Sequence, residues 1–316
     1  MQIISASEID SVMDWGAVVD TLHAAHLRPR PIGDSFFVGD ADYGLLSRGV
    51  ILPGYGAGLK IASMCAANDR AQPPRPVEDA VFVVIDEATK AIRAVLDGPA
   101  ITRWKTAADS VVAAKKLSRE DSEVLLSLGA GPVSRSLIDA YLHIRPGIRK
   151  VLLWNRTPSK LSLVCESLRT RGLQVEIARD LSAAIRKADI ISAATSTRFP
   201  LIEGRYVKMG AHVDLVGGYR QDMQEADVDL MCRSRLFVDD RSTSSVAGDI
   251  HIPLILGAIS ETQIEGDLYD LCQNEAFMRE PGDITVYKNA GGAHLDLVVS
   301  HLALSRLALN TAARRH

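Results

Sequence analysis

The sequence predicts an α/β chain with a doubly wound parallel sheet in its second part and a separate antiparallel sheet ahead of it. Three observations predict this. The chain has 316 residues, which at roughly 100–200 residues per domain makes two domains, or one large one. Short apolar runs alternate with helical stretches between 118 and 290, the pattern of βαβ units. The first of those runs ends in Gly129-Ala130-Gly131 and leads directly into a helix.

The elements follow in order. Ser5-x-x-Glu8 is a capping-box pattern. Ile9, Val12, Met13, Val18, Val19 and Leu22 then recur at helical spacing, so one amphipathic helix is predicted over 8–26. Pro29 and Pro31, flanking Arg30, end it. Extended segments follow at 44–51, 57–64, 80–85 and 91–96, punctuated by Gly and Pro, as in an antiparallel sheet. A helix rich in Ala and Val covers 101–117. From there strands are predicted at 123–128, 151–154, 175–178, 190–194, 212–216 and 236–238, with helices at 133–144, 161–171 and 181–187. The segment 291–312 is helical and apolar on one side, placed to fold back on the first domain.

Composition narrows the class of function. Hydrophobic residues make up 47% and charged residues 24%, which suffices for a large core without disulfides or metals. The formal net charge of −3 argues against a general nucleic-acid binder, which shows a basic excess. The four cysteines, Cys65, Cys165, Cys232 and Cys272, have no C-x-x-C spacing. They form neither a disulfide framework nor a zinc ribbon, and fit a reducing compartment. No signal-peptide pattern and no run of about 18 apolar residues occurs. A cytoplasmic protein without membrane or nucleic-acid partners is expected, and no metal site is predicted.

The glycine turn carries the first chemistry. Gly129 permits the tight turn. Gly131 lets a pyrophosphate approach the backbone at a helix N-terminus, where N–H groups and the dipole favour anions. Pro132 suits the first helical turn, because its missing N–H would be unpaired there. Gly129, Ala130, Gly131, Pro132 and Val133 are therefore predicted to bind a dinucleotide, with Ser134 in the third small position. The second strand of this region ends Trp154-Asn155-Arg156-Thr157, without the carboxylate that binds an NAD ribose. Arg156 and the Thr157 hydroxyl instead suit a 2′-phosphate, so NADPH is expected, with NADH weaker. Thr195 and Ser196 follow a later strand at the carboxyl end of the sheet, where they can meet the cofactor.

The chain resembles the ornithine cyclodeaminase/μ-crystallin family. The resemblance rests on Gly58-Leu59-Lys60, Leu96-Asp97-Gly98, Thr106-Ala107-Ala108-x-Ser110, Leu128-Gly129-Ala130-Gly131, Trp154-Asn155-Arg156-Thr157 and Gly210-Ala211-His212, which run in the family's order. It implies a Rossmann domain (118–290) inserted into an α+β substrate-binding and dimerisation domain (1–117 and 291–316), and hence a homodimer. Asn155, Thr106 and Val216 join the cofactor-binding set. Three departures bear on activity. Cyclodeaminases carry an Asp after a glycine pair where this chain has Gly217-Gly218-Tyr219. The family's Arg before the Thr-Ala-Ala run is Lys105, and a family Thr ahead of the third extended segment is Val77.

The remaining motifs are similar to bacterial reductases of Δ1-pyrroline-2-carboxylate and Δ1-piperideine-2-carboxylate. They are Lys105–Ser110, Val213–Gly217, Asp222-Met223-x-Glu225-x-Asp227 and Lys288-Asn289-x-Gly291-Gly292-Ala293-His294-Leu295-Asp296. The resemblance implies hydride transfer from NADPH to C2 of a small cyclic imino acid. An ornithine cyclodeaminase with bound NAD and a non-catalytic NADPH-binding protein are the alternatives. Lys60 matches the family's active-site lysine and is expected to contact substrate or handle a proton. Asp296 is expected to orient a lysine or a water, and Lys105 to bind the substrate carboxylate. Arg48 is expected beside that carboxylate, in competition with Arg30. His294 is read as able to titrate near neutral pH, while His23 and His26 are read as surface residues. Asp222, Glu225 and Asp227 are read as a solvated acidic turn or helix cap.

Overall fold

In the computed structural model, which describes all residues except 41, 74, 219 and 314–316, capping decides where the first helices begin. Ser5 Oγ accepts the Glu8 N–H and Glu8 Oε2 accepts the Ser5 N–H at 2.9 Å, so the predicted capping box opens helix α1 (Ala6–Val12). The single helix predicted over 8–26 is two helices. Asp14 interrupts it and caps α2 (Trp15–His26), its Oδ1 accepting the Ala17 N–H at 2.9 Å. A short polar side chain that takes up a free N–H favours a new helix start over continuation.

The chain divides into two units: Met1–Lys105 with Gly292–His316, and Thr106–Gly291. The pattern change had put the breaks at 117/118 and 290/291. The first break instead falls inside helix α3 (Gly98–Leu117). The reason lies in Asp109 and Ser110, whose side chains bond Tyr287 and Asp214 on strands of the second unit.

The first unit holds a six-stranded sheet. Its strands are β1 (Gln2–Ile4), β2 (Ile32–Gly39), β3 (Tyr43–Leu52), β4 (Gly56–Cys65), β5 (Glu78–Ile85) and β6 (Ile92–Asp97), in the order β1-β6-β5-β4-β3-β2. The pairings from β2 to β6 are antiparallel, whereas β1 joins β6 in parallel. Neither β1 nor β2 was predicted. β2 is an edge strand exposed along its whole length, so no buried alternation marks it. The last helix, Ala293–Ala313, packs over β3, β4 and β5 and against α1 and α2. Its approach explains Gly58: a Cβ there would stand 2.4 Å from the Phe82 ring and 3.2 Å from Leu297 Cδ1.

The second unit holds eight parallel strands: β7 (Val124–Leu128), β8 (Lys150–Trp154), β9 (Gln174–Ile177), β10 (Ile190–Ala193), β11 (His212–Leu215), β12 (Arg235–Val238), β13 (Ile264–Gly266) and β14 (Thr285–Lys288). Their order is β13-β12-β14-β11-β10-β7-β8-β9. Leu126, Leu128, Ile191, Val213, Leu215 and Val286 form its core, as expected of strands covered on both faces. The winding reverses between β7 and β10, which makes the carboxyl ends of these strands the ligand-binding crevice of a doubly wound sheet. β13 and β14 were not predicted. Tyr219, which stands where cyclodeaminases carry an Asp, lies outside the described residues. Among the described residues no helix is long and apolar enough to cross a membrane.

Candidate active site and nucleotide crevice

In the first unit the predicted substrate residues come together. Side chains alternate along a strand, and on β4 it is Gly56, Gly58, Lys60 and Ala62 that are buried. Lys60 thus lies on the covered face, only 8% exposed. Its Nζ donates to Thr102 Oγ1 at 2.7 Å and lies 3.5 Å from Asp296 Oδ1. Lys105 Nζ lies 3.8 Å from Asp296 Oδ2. Thr102 and Lys105 are three apart on α3 and so share one helix face. Asp296 sits in the first turn of the last helix and is 1% exposed. Two buried ammonium groups therefore flank one buried carboxylate, a net charge of +1 within the trio. Arg48 pairs directly with Lys60 across β3 and β4, which places both side chains on one face. This makes Arg48 an additional cation on the face of Lys60, while the charge of Arg30 acts on His294.

Two histidines close to this cluster depart from the sequence expectations. His26 is not a surface residue but fully buried. Its Nδ1 is 2.7 Å from the Leu22 carbonyl, and its Nε2 is 3.3 Å from His294 Nε2. A carbonyl only accepts, so His26 carries its proton on Nδ1. His294 does not titrate near neutral pH. Burial, followed by the charges of His26, Lys105 and Arg30, pushes its pKa well below the ordinary value.

In the second unit the glycine turn joins β7 to helix α4 (Pro132–Ile144). Gly129 has φ +121, and a Cβ there would stand 2.6 Å from the Ala194 carbonyl oxygen, so both conformation and space require glycine. Gly131 differs: beyond its neighbours in the chain, no atom of the described residues lies within 4 Å of where its Cβ would be. It is the N-cap of α4, with no side chain capping the helix and Pro132 in the first turn. The open space, the uncapped N-terminus of a 13-residue helix and the half-exposed Ala130 and Val133 fit a pyrophosphate. Ser134 is buried, its Oγ 3.0 Å from Ser127 Oγ and donating to the Gly129 carbonyl at 3.2 Å. These bonds explain how Ser replaces a smaller residue where helix and strand meet.

At the end of β8, Asn155 Nδ2 donates to the Thr157 carbonyl at 2.9 Å, and Arg156 and Thr157 are exposed. Thr106 is buried on α3, its carbonyl accepting from Asn289 Nδ2 at 3.0 Å. Ser196 is exposed and Val216 half-buried. The Thr195 hydroxyl and amide both donate to Glu225 Oε1, each at 2.7 Å. Glu225 therefore corrects the acidic-turn expectation. Asp222 does pair with Arg220 at the surface, and Asp227 caps the helix Val228–Arg233, but Glu225 is fully buried. Burial, and then Asp249, raises its pKa. Thr102, Glu225 and Asp249 were missed as site residues because each has its partners far away in sequence. Among the described residues, no three His, Cys, Asp or Glu side chains are grouped to hold a metal ion.

Comparison with known proteins agrees with this layout. The family model for the ornithine cyclodeaminase/mu-crystallin family matches residues 51–308. The Delta(1)-pyrroline-2-carboxylate reductase of Paracoccus denitrificans is 39% identical over 303 residues, covering 95% of each chain. Among solved structures, the Thermococcus litoralis Delta(1)-pyrroline-2-carboxylate reductase in complex with NADH and L-proline superposes with a TM-score of 0.92. It is 25% identical, over 98% of each chain. The iminosuccinate reductase of Paracoccus denitrificans in complex with NAD+ gives 0.89 at 25% identity, covering 99% of this chain and 97% of that one. A Rossmann-type sheet inserted into an α+β unit, its glycine turn and its lysine-flanked aspartate together with a match over most of the length lead to one conclusion: the chain belongs to the ornithine cyclodeaminase/mu-crystallin family.

Proposed function

We propose that the protein is an NAD(P)H-dependent ketimine reductase. It would reduce Δ1-pyrroline-2-carboxylate, Δ1-piperideine-2-carboxylate or both to L-proline and L-pipecolate, with NADPH preferred. The observation that carries this reading is the buried Lys60–Asp296–Lys105 group. Its excess positive charge suits a substrate carboxylate, and Arg48 adds a second cation on the same face. Thr102 and Asp296 hold the Lys60 ammonium, whose further hydrogens are directed to the substrate. A cationic surround with a single fixed carboxylate binds an imino acid as its carboxylate and keeps Lys60 as a proton-bearing group for the ring nitrogen. When bound, NADPH supplies the hydride that reaches C2 of the imine. Gly129, Ala130, Gly131, Pro132 and Val133 would hold its pyrophosphate, and Thr106, Asn155, Thr195, Ser196 and Val216 complete the set.

The preference for NADPH rests on Asn155-Arg156-Thr157, since the two solved relatives hold NADH and NAD+. Arg156→Ala should weaken NADPH by about 10- to 100-fold, as for one lost charged hydrogen bond, and leave NADH unchanged in fluorescence titrations. Equal losses for both cofactors would rule out the phosphate role. The same reading takes the protein as a cytoplasmic homodimer. Its support is four free cysteines and the exposed Ile32, Phe36, Phe37 and Val38 of edge strand β2, which a second copy would cover. The deciding experiment follows NADPH oxidation with the five-ring and six-ring imines side by side. A purified protein that binds NADPH but oxidises it with neither imine, or that releases ammonia from L-ornithine without cofactor turnover, overturns the proposal.

A further inference from the structure

Glu225 occupies an unusual place in the second unit. The segments that leave β10 and β11 both end on its carboxylate. Oε1 accepts from the Thr195 amide and hydroxyl, each at 2.7 Å, and Oε2 accepts from the Gly217 amide at 2.6 Å. The two segments approach closely: a Cβ on Gly217 would stand 1.8 Å from the Thr195 carbonyl oxygen. Glu225 is itself held. Asp249 Oδ1 accepts from the Glu225 and Ala226 amides at 2.7 and 3.2 Å, and Lys288 Nζ, at the end of β14, donates to Asp249 Oδ2 at 3.0 Å. Glu225, Asp249 and Lys288 are all fully buried. Burying three ionisable groups is costly, and ordinary backbone hydrogen bonds would satisfy loop amides without that cost.

We propose that Glu225 is the positioning residue of the nucleotide crevice, fixing the backbone after β10 and β11 in the arrangement that receives the nicotinamide cofactor. The proposal rests on the cofactor reading above. In a doubly wound sheet the ligand lies against the carboxyl ends of the strands; here the Val216 N–H bonds the Ala193 carbonyl at 2.8 Å at the strand ends, and the segments beyond them are tied through the Glu225 side chain. Asp249 and Lys288 act one step further back, anchoring Glu225 to β14. Because Thr195, Ser196 and Val216 lie apart in the chain from the Arg156–Thr157 pair, the effect is common to both cofactors and separable from phosphate selectivity.

Glu225→Gln tests this. The glutamine keeps the shape but turns one acceptor oxygen into an NH2 group, which then faces the N–H of Gly217 or of Thr195. The dissociation constants of NADH and NADPH should rise together, by about tenfold or more, while KM for the imine stays at the wild-type value and the far-UV spectrum is unchanged. A merely structural role would lower melting temperature and activity without singling out cofactor affinity. Should the glutamine protein fail to fold, Glu225→Asp, which keeps the charge and shortens the reach, is read in the same way. Unchanged affinity for both nucleotides, or a parallel shift in imine KM, overturns the positioning role alone. A wild-type protein that binds neither nucleotide overturns both this proposal and the cofactor reading.

Discussion

In the Lys60→Ala protein, kcat/KM for the cyclic imine should fall by about 100- to 10,000-fold, the range for losing a positioned proton donor, while NADPH binds as in the wild type. The asymmetry follows from where the side chain lies. Lys60 belongs to the first unit, and its partners Thr102 and Asp296 do too. The glycine turn and the Asn155–Thr157 segment belong to the second. Removing the ammonium withdraws one of the two cations that flank Asp296 and the hydrogen bond to the Thr102 hydroxyl. Asp296 retains Lys105 at 3.8 Å, so its charge is not left alone and the variant should fold. Steady-state assays with NADPH titrations on the same preparation separate the two quantities. A parallel collapse of NADPH affinity would take Lys60 out of the substrate site.

The parts of this architecture that could be read from the sequence are those whose signal is local. The glycine turn, its proline at the first helical position and the alternation of apolar runs with helices all depend on neighbours within one turn or one strand, and β7, α4, β8 and β10 lie where these patterns put them. Lys60 and Lys105 were identified from motifs, but their burial follows from strand alternation and from the covering helix. What stayed hidden depends on distant partners. β14 is buried throughout and sits between β11 and β12. It ends in Lys288, a residue that argues against a central strand until Asp249 is seen beside it. His26 looks like a charge on an amphipathic helix until His294, from the other end of the chain, is placed against it. Glu225 reads as part of an acidic turn because neither Thr195 nor Gly217 is near enough in sequence to suggest an acceptor. β2 is missed for the opposite reason: as an exposed edge it has no buried face to impose a period on its residues.

Asp296→Asn should be the most destabilising single change in the first unit. Breaking a buried ion pair by removing one partner costs about 3–5 kcal/mol, because the remaining charge stays buried without compensation. Here the removal takes the carboxylate from beside two buried ammonium groups. Lys60 and Lys105 are 8% and 5% exposed, and Asp296 is the carboxylate that approaches both, at 3.5 and 3.8 Å. Asparagine preserves the volume and hydrogen-bonding shape, so the loss reports charge rather than packing. Urea denaturation at neutral pH measures it. The argument makes a second demand. If repulsion between the two ammonium groups is the cause, then adding Lys60→Met to Asp296→Asn removes one of them and should recover part of the lost stability, so that the two changes are far from additive. A double variant less stable than Asp296→Asn by the full cost of Lys60→Met alone would show that the two lysines are accommodated independently. In that case Asp296 is not what holds the positive site together.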